Sequence, residues 1–444
     1  MITIRRLFSK ISSLWKYSLL PVLIRFSIKI KLPFLTAMLL LTNVKRLNNF
    51  GTIRALCLSR SIFMDDIRAN LTFSKKIRYF SINLSTFEMI LRYFGKEPDC
   101  RNLTENNYHS SDYCVLGKQR YFSYLAKLIP HLKSLLRFDV VLSGNFNYAS
   151  QQELARVCQE NNIPFIVMYK EGLVYHEALT NYMKNYDGNK FIGTKLFSYS
   201  EKIAVALQEK EIPGLTKGKI GCLKGLPRFD LYFFDQRLKE QPEQRQLVFF
   251  SFFPASSFRY FGVTPEQLEQ LEIRSAEFHY WVMKFAKDHP DIKVVIKTKR
   301  ADYFVQYVRD ILSKNFKEGI DNLTISNILD PATLIKDSFA VVGFSSTTLI
   351  ESIILGKIII TPYFGDILPK DTAWDFFKDF PLMVNYAKTY ENLEDYLSDP
   401  EKYSNYDSKI KDSFLNKYLS NSDGGASLRA EQAIIDTINK FSKN

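Results

Sequence analysis

Short runs rich in Val, Ile, Leu and Phe alternate with helix-patterned segments from residue 53 almost to the C-terminus. That alternation restricts the fold more than any other feature of the sequence. Residues 53–60, 77–84, 138–146, 163–172, 195–201 and 218–225 read as strands, and 149–162 between them as an amphipathic helix with Ser150 near its start. A polar stretch with Pro242, residues 233–246, reads as a linker. A second series follows, with strands at 247–254, 292–299, 322–326, 339–344 and 357–364. Its helices are expected at 264–289, 302–316, 331–338 and from Thr347 to Gly356, with two more at about 400–419 and 425–441. Strands separated by helices form parallel sheets covered on both faces. The expectation is α/β: two tandem doubly wound Rossmann-like domains, 51–240 and 241–444, with a cleft between them, after a basic N-terminal segment, 1–50.

That first segment is compositionally separate. The first 64 residues hold eleven Lys or Arg and no carboxylate, the first being Asp65. The net charge of +13 therefore sits mainly at this end, and the remaining 49 basic and 47 acidic residues leave the body near neutral. A nucleic-acid binder carries its basic patch on the folded domain, so that class is disfavoured. The longest uncharged run of the segment, Leu32 to Val44, is shorter than the roughly 20 residues a bilayer span needs. The pattern fits helices lying at an anionic membrane surface, or else ordinary core helices with solvated basic faces. Five scattered cysteines without CxxC spacing argue against a disulfide framework or zinc ribbon and fit a reducing compartment.

The corner after the strand at 339–344 is the most specific feature. Gly343 permits close approach of a ligand, Ser345 or Ser346 can cap the following helix, and the N–H groups there attract an anion. Thr347 adds a hydroxyl, and Glu351 lies one turn further in, where a carboxylate can hold a pair of sugar hydroxyls. The plainer reading is a good N-cap followed by a solvated glutamate. In the first half, Glu171 follows an apolar strand and His176 lies five residues on; either can serve as a base, or they are turn and surface residues. Asn145 sits in a loop suited to binding hydroxyls or capping. His109, His131, His279 and His289 read as structural.

The segment "VVGFSSTTLIESIILGKIIITPYFG" resembles the donor-binding motif of GT-B glycosyltransferases of bacterial surface-polysaccharide synthesis, including CDP-glycerol glycerophosphotransferases and capsule Kdo transferases. "GLPRFD" (225–230), "IKVVIKTKR" (292–300) and "DGGASLRAEQAIIDTI" (423–438) resemble further motifs of that group, in the same order. The resemblance implies that Ser345, Ser346 and Thr347 contact donor phosphates and that Glu351 holds the ribose or donor sugar. It implies that Lys297 and Lys299 face the phosphates and that Arg228 lines the cleft. Where the relatives carry Lys-x-His-Pro, this chain has Lys297-Thr298-Lys299-Arg300, so the histidine's role is absent or passes to Lys299 and Arg300. Implied with it are a nucleotide-sugar donor, a glycan or lipid-linked acceptor, a place at the cytoplasmic membrane face, and no metal or cofactor. Alternatives on the same architecture are a CDP-polyol phosphotransferase, a sugar-nucleotide epimerase or a non-catalytic scaffold.

Overall fold

The computed structural model describes residues 15–96, 100–110, 112–171, 173–174, 179–234, 245–251, 263–344, 346–368, 376–403 and 407–442. The chain divides into two compact units. One comprises Met1–Gly172, Met183–Asp230 and Gly425–Asn444, the other Leu173–Tyr182 and Leu231–Gly424.

The first unit is built on a seven-stranded sheet of β1 (Lys45–Arg46), β2 (Ile53–Ser59), β3 (Ile77–Asn83), β4 (Val140–Ser143), β5 (Phe165–Met168), β6 (Lys195–Ser198) and β7 (Ile220–Cys222). The spatial order is β1-β3-β2-β4-β5-β6-β7. All neighbours are parallel except β1, which runs antiparallel to β3. Every residue of β4 and β5 is buried, as a strand covered by helices on both faces requires. The chain lays β3 on one side of β2 and then crosses to lay β4 on the other. The carboxyl ends of β2 and β4 therefore border the point where the sheet reverses its direction of growth.

The second unit has six parallel strands: β8 (Gln246–Ser251), β9 (Lys293–Thr298), β10 (Leu323–Ser326), β11 (Ala340–Gly343), β12 (Ile358–Pro362) and β13 (Asn385–Ala387). Their order, β10-β9-β8-β11-β12-β13, is that of Rossmann dinucleotide-binding folds, with the switch point between β8 and β11. Phe249, Phe278, Val282, Ile296, Val342 and Ile360 are among the residues of its core. Its longest helix, Pro265–Asp288, starts where Thr264 and Gln267 satisfy each other's backbone N–H in a capping box.

Several features differ from the sequence pattern. The helix Val115–Leu136 was not anticipated, and Pro130 inside it reads as a stop signal. The edge strands β1 and β13, two and three residues long, are too short to show a period of two. The C-terminal helix, Ala426–Phe441, belongs to the first unit, although chain order had placed it in the second domain. Cys100 and Cys114 form a disulfide, against the expectation of none, because a separation of 14 residues in an irregular loop carries no recognised spacing. Cys57 and Cys158 are free and buried.

The described part of the basic segment forms a helical hairpin, Leu20–Lys29 and Pro33–Leu41, whose inner side is packed into the first unit. Leu20, Ile24, Ile28, Ala37 and Leu40 are buried. Ser27 and Thr36 share a hydrogen bond of 2.6 Å, and Thr36 meets the Tyr124 hydroxyl of the helix Val115–Leu136. Among the described residues no helix is long and apolar enough to cross a membrane.

Candidate functional site

The serine-rich corner stands at the switch point of the second sheet. Gly343, the last residue of β11, is in register with Phe250 of β8, so the two strands end within one residue of each other. A Cβ on Gly343 would come within 3.1 Å of Leu349 Cδ2, so the helix that follows lies close against the strand end. Phe344 is buried and anchors the corner through ring contacts to Phe249, Phe278, His279 and Phe364. Ser345 lies outside the described residues.

Ser346 is the N-cap of the helix Thr347–Ile354. Its Oγ accepts from the Thr348 N–H at 3.4 Å and from Thr348 Oγ1 at 3.0 Å. Thr347, half-buried, opens the helix. Glu351 is buried rather than solvated, and its Oε2 accepts a 2.6 Å hydrogen bond from the Tyr232 hydroxyl. Burying a carboxylate costs several kcal/mol unless it is hydrogen-bonded. Glu351 meets that condition through Tyr232, on the wholly buried stretch Leu349–Ile354. Tyr232 was missed by sequence reasoning: it is 119 residues from its partner, and nothing local marks it.

The basic residues after β9 separate. Lys297 is buried, and its ammonium donates to the carbonyls of Thr298 at 2.6 Å and Asn327 at 3.1 Å, tying β9 to the loop after β10. Burial, with help from Arg300, lowers its pKa from the usual lysine value. Lys299 and Arg300 are exposed at the carboxyl end of the sheet.

In the first unit the carboxyl edge of the sheet carries a different set. Asn145 follows β4 and is buried; its Oδ1 accepts from the Phe146 N–H at 2.7 Å, so its side chain shapes its own loop. Arg60, one residue past β2, lies over the Tyr148 ring at 4.5 Å. Glu171, three residues past β5, is partly buried and ion-paired with Lys170, whose backbone N–H donates to the Gly144 carbonyl. His176 lies outside the described residues. A cavity of about 180 Å³ opens beside Asn83 at the end of β3, lined also by Asn43, Ser85, Thr86, Leu20 and Ile24.

Arg228 is buried in the first unit. Its Nη1 donates to both oxygens of Asp66 at 3.1 and 3.2 Å, and the same carboxylate accepts from the Tyr199 hydroxyl at 2.7 Å. Two of the motifs behind the family resemblance meet here. Asp230 of "GLPRFD" accepts the N–H groups of Ala426 (3.2 Å) and Ser427 (2.6 Å), capping the C-terminal helix. In return Arg429 donates through Nε to the Leu223 carbonyl at 2.6 Å and through Nη2 to that of Lys224. This clasp is why the last helix returns to the first unit. Among the described residues no group of three or more His, Cys, Asp or Glu could hold a metal ion.

No protein-family model and no curated protein matches the chain in sequence. Solved structures match its fold. The wall teichoic acid polymerase TagF aligns over 93% of this chain and 96% of its own, at 11% identity and a TM-score of 0.51. A Listeria monocytogenes protein assigned as a UDP-N-acetylglucosamine 2-epimerase aligns over 88% of this chain and 98% of its own, at 12% identity and a TM-score of 0.50. At such identity these likenesses define the fold alone. It is GT-B-like, with two parallel-sheet Rossmann-like units; the alternation of strands and helices implies the two units and the motif resemblance implies the GT-B likeness.

Proposed function

We propose that the chain is a metal-independent glycosyltransferase. It moves a sugar from a nucleotide-activated donor to a surface-polysaccharide or glycolipid acceptor at the cytoplasmic face of the cell membrane. The observation that carries this reading is the corner at the β8/β11 switch point, where a serine-capped helix N-terminus is followed one turn later by the buried, tyrosine-held Glu351. Helix N-termini bind phosphate, and a positioned carboxylate grips vicinal hydroxyls, so one nucleotide diphosphate satisfies both features. In this reading Ser345, Ser346 and Thr347 hold the donor phosphates over Gly343. Lys299 and Arg300 stabilise the charge that develops on the departing phosphate. Glu171, or His176, removes the proton from the acceptor hydroxyl as its oxygen bonds to the anomeric carbon and the bond to the nucleotide phosphate breaks. Asn145 and the small cavity beside Asn83 belong to the acceptor side.

The fold likeness to a wall teichoic acid polymerase supports transfer onto a cell-envelope polymer, including transfer of a polyol phosphate from a CDP donor. The likeness to the Listeria protein keeps a sugar-nucleotide epimerase as the second reading. A thermal-shift panel of CMP, CDP, UDP, GDP and TDP on the purified chain tests the donor site, with Glu351→Ala and Glu351→Gln beside it. One nucleotide should stabilise the wild type and lose most of its effect in both variants. Product mass then separates the readings: a hexose transferred, a phosphodiester formed, or an isomerised nucleotide sugar without any acceptor. If no nucleotide stabilises the protein, the enzymatic reading gives way to a scaffold.

A further inference from the structure

The hairpin at the start of the first unit has two apolar sides where a surface helix needs one. On the helix Leu20–Lys29, Leu20, Ile24 and Ile28 are buried, which satisfies the core-facing stripe. Leu19, Val22, Phe26 and Ile30 recur at the same helical spacing on the outer side and are exposed, Val22 by 60% and Phe26 by 55%. The second helix, Pro33–Leu41, contains no charged residue; Thr36, Ala37 and Leu40 face inward, while Phe34, Leu35 and Met38 face out. A helix apolar all round belongs inside a protein or in lipid. At nine residues, about 14 Å, this one is too short to span a bilayer. The outer face does not belong to a displaced core element, because the inner face is already packed and pinned by the Ser27–Thr36–Tyr124 hydroxyls.

What covers the outer face is indicated by charge. Arg25, Lys29 and Lys31 are exposed on the hairpin itself, and Lys45 and Arg46 on the adjoining edge strand, with no carboxylate before Asp65. A second copy of the chain on this face would set these cations against their own kind. Phosphate headgroups around an acyl layer complement both features.

We propose that this hairpin seats the protein in one leaflet of an anionic lipid bilayer. Leu19, Val22, Phe26, Ile30, Phe34 and Met38 enter the acyl boundary, and Arg25, Lys29 and Lys31 lie at headgroup level. The inference deepens the membrane-face placement proposed above and rests on it for biological sense, but its geometry does not depend on the transfer chemistry. The inner side of the same helix lines the cavity beside Asn83, so an amphiphilic acceptor held in that leaflet starts next to the first unit's strand ends.

The test is co-sedimentation of the full chain with vesicles of phosphatidylcholine, alone or with about one third phosphatidylglycerol. The wild type should pellet with the anionic vesicles, less with the neutral ones, and less as salt rises to about 0.5 M. Phe26→Glu/Phe34→Glu should bind at least about tenfold more weakly. Arg25→Glu/Lys29→Glu/Lys31→Glu should lose the preference for anionic lipid. All these positions are exposed, so both variants should keep the wild-type melting temperature, which is measured in parallel. Wild type left in the supernatant, or Phe26→Glu/Phe34→Glu pelleting like wild type, overturns the proposal. So does a dimer in light scattering that Phe26→Glu/Phe34→Glu dissolves, with no vesicle binding. A nucleotide panel that fails while vesicle binding holds rejects the transferase reading alone, and the converse rejects only the hairpin's role.

Discussion

His279 sets a pH limit on the second unit, and the structure gives its size. The imidazole is fully buried between β8 and the long helix. Its Nδ1 donates to the Ser275 carbonyl at 2.7 Å and its Nε2 accepts from the Ser251 hydroxyl at 2.6 Å. Phe249, Phe344 and Tyr307 surround the ring. A proton on Nε2 would have to be accommodated without water and against a donor already in place, and burial lowers the pKa from its ordinary 6.5 to about 4. A base depressed in the folded state contributes stability that is complete above 6.5 and is lost as pH falls towards 4. That gap corresponds to on the order of 3 kcal/mol. Urea titrations from pH 4 to 7 should show the second unit losing about that much on acidification. His279→Gln should be less stable at pH 7, since the serine contacts are imperfectly replaced, yet its stability should vary less with pH by the same amount. Parallel pH profiles for wild type and variant would refute the reasoning. At the corner the same ring packs against Phe344.

Three further outcomes follow from named contacts. Asp230→Ala leaves the N–H groups of Ala426 and Ser427 without their acceptor and should cost about 2–4 kcal/mol. It is best measured near pH 5, because burial raises the Asp230 carboxyl to about 6 and the wild type is then largely uncharged at this site; the expected fall in melting temperature is roughly 2–4 °C per kcal/mol. Removing the Cys100–Cys114 bridge with Cys100→Ala/Cys114→Ala releases a loop of 14 residues and should cost about 3 kcal/mol, and a reductant should give a comparable shift in the wild type. Tyr232→Phe deletes the hydroxyl that donates to buried Glu351 and should cost about 1–3 kcal/mol; it should lower the melting temperature and weaken the nucleotide response together, and an unchanged response would detach Tyr232 from the proposed donor site.

The strands were legible because β4, β5, β8, β11 and β12 are buried along their whole length, which forces continuous apolar runs into the sequence. Strand order was not, since periodicity records which faces are covered and not which strand lies alongside. The switch point, and with it the reason the Gly343 corner matters, emerged only from the pairing of β11 with β8. The corner's residue types were readable, but the burial of Glu351 was not. A glutamate in "TTLIESII" reads as solvent-facing until the helix proves covered on both sides and Tyr232, from 119 residues away, supplies the donor. The placement of Lys297 was hidden for a related reason: a lysine at a strand end looks fully solvated, and its engagement with two backbone carbonyls is a tertiary fact.

The motifs that carried the family resemblance thus divide by physical role, and Arg228 shows how to tell the roles apart. Two of the four meet in the clasp of the first unit, where Asp230 and Arg429 satisfy helix and loop backbone groups. Arg228 sits beside them against Asp66, whose side chain is fully buried. Removing the guanidinium strands a carboxylate in the interior, at a cost of about 3–5 kcal/mol. Lost activity in Arg228→Ala is therefore ambiguous, because it follows from unfolding as readily as from a missing ligand contact. Asp66→Asn/Arg228→Met removes both charges at similar volume and should recover most of the lost stability. If the arginine works only through Asp66, the nucleotide response and turnover recover along with the melting temperature. Stability that returns without turnover would instead put the guanidinium against the substrate. We expect the first result, since both carboxylate oxygens and the arginine's own backbone N–H already lie within 3.3 Å in one closed network. On that outcome the "GLPRFD" resemblance tracks how the C-terminal helix is fastened within the first unit.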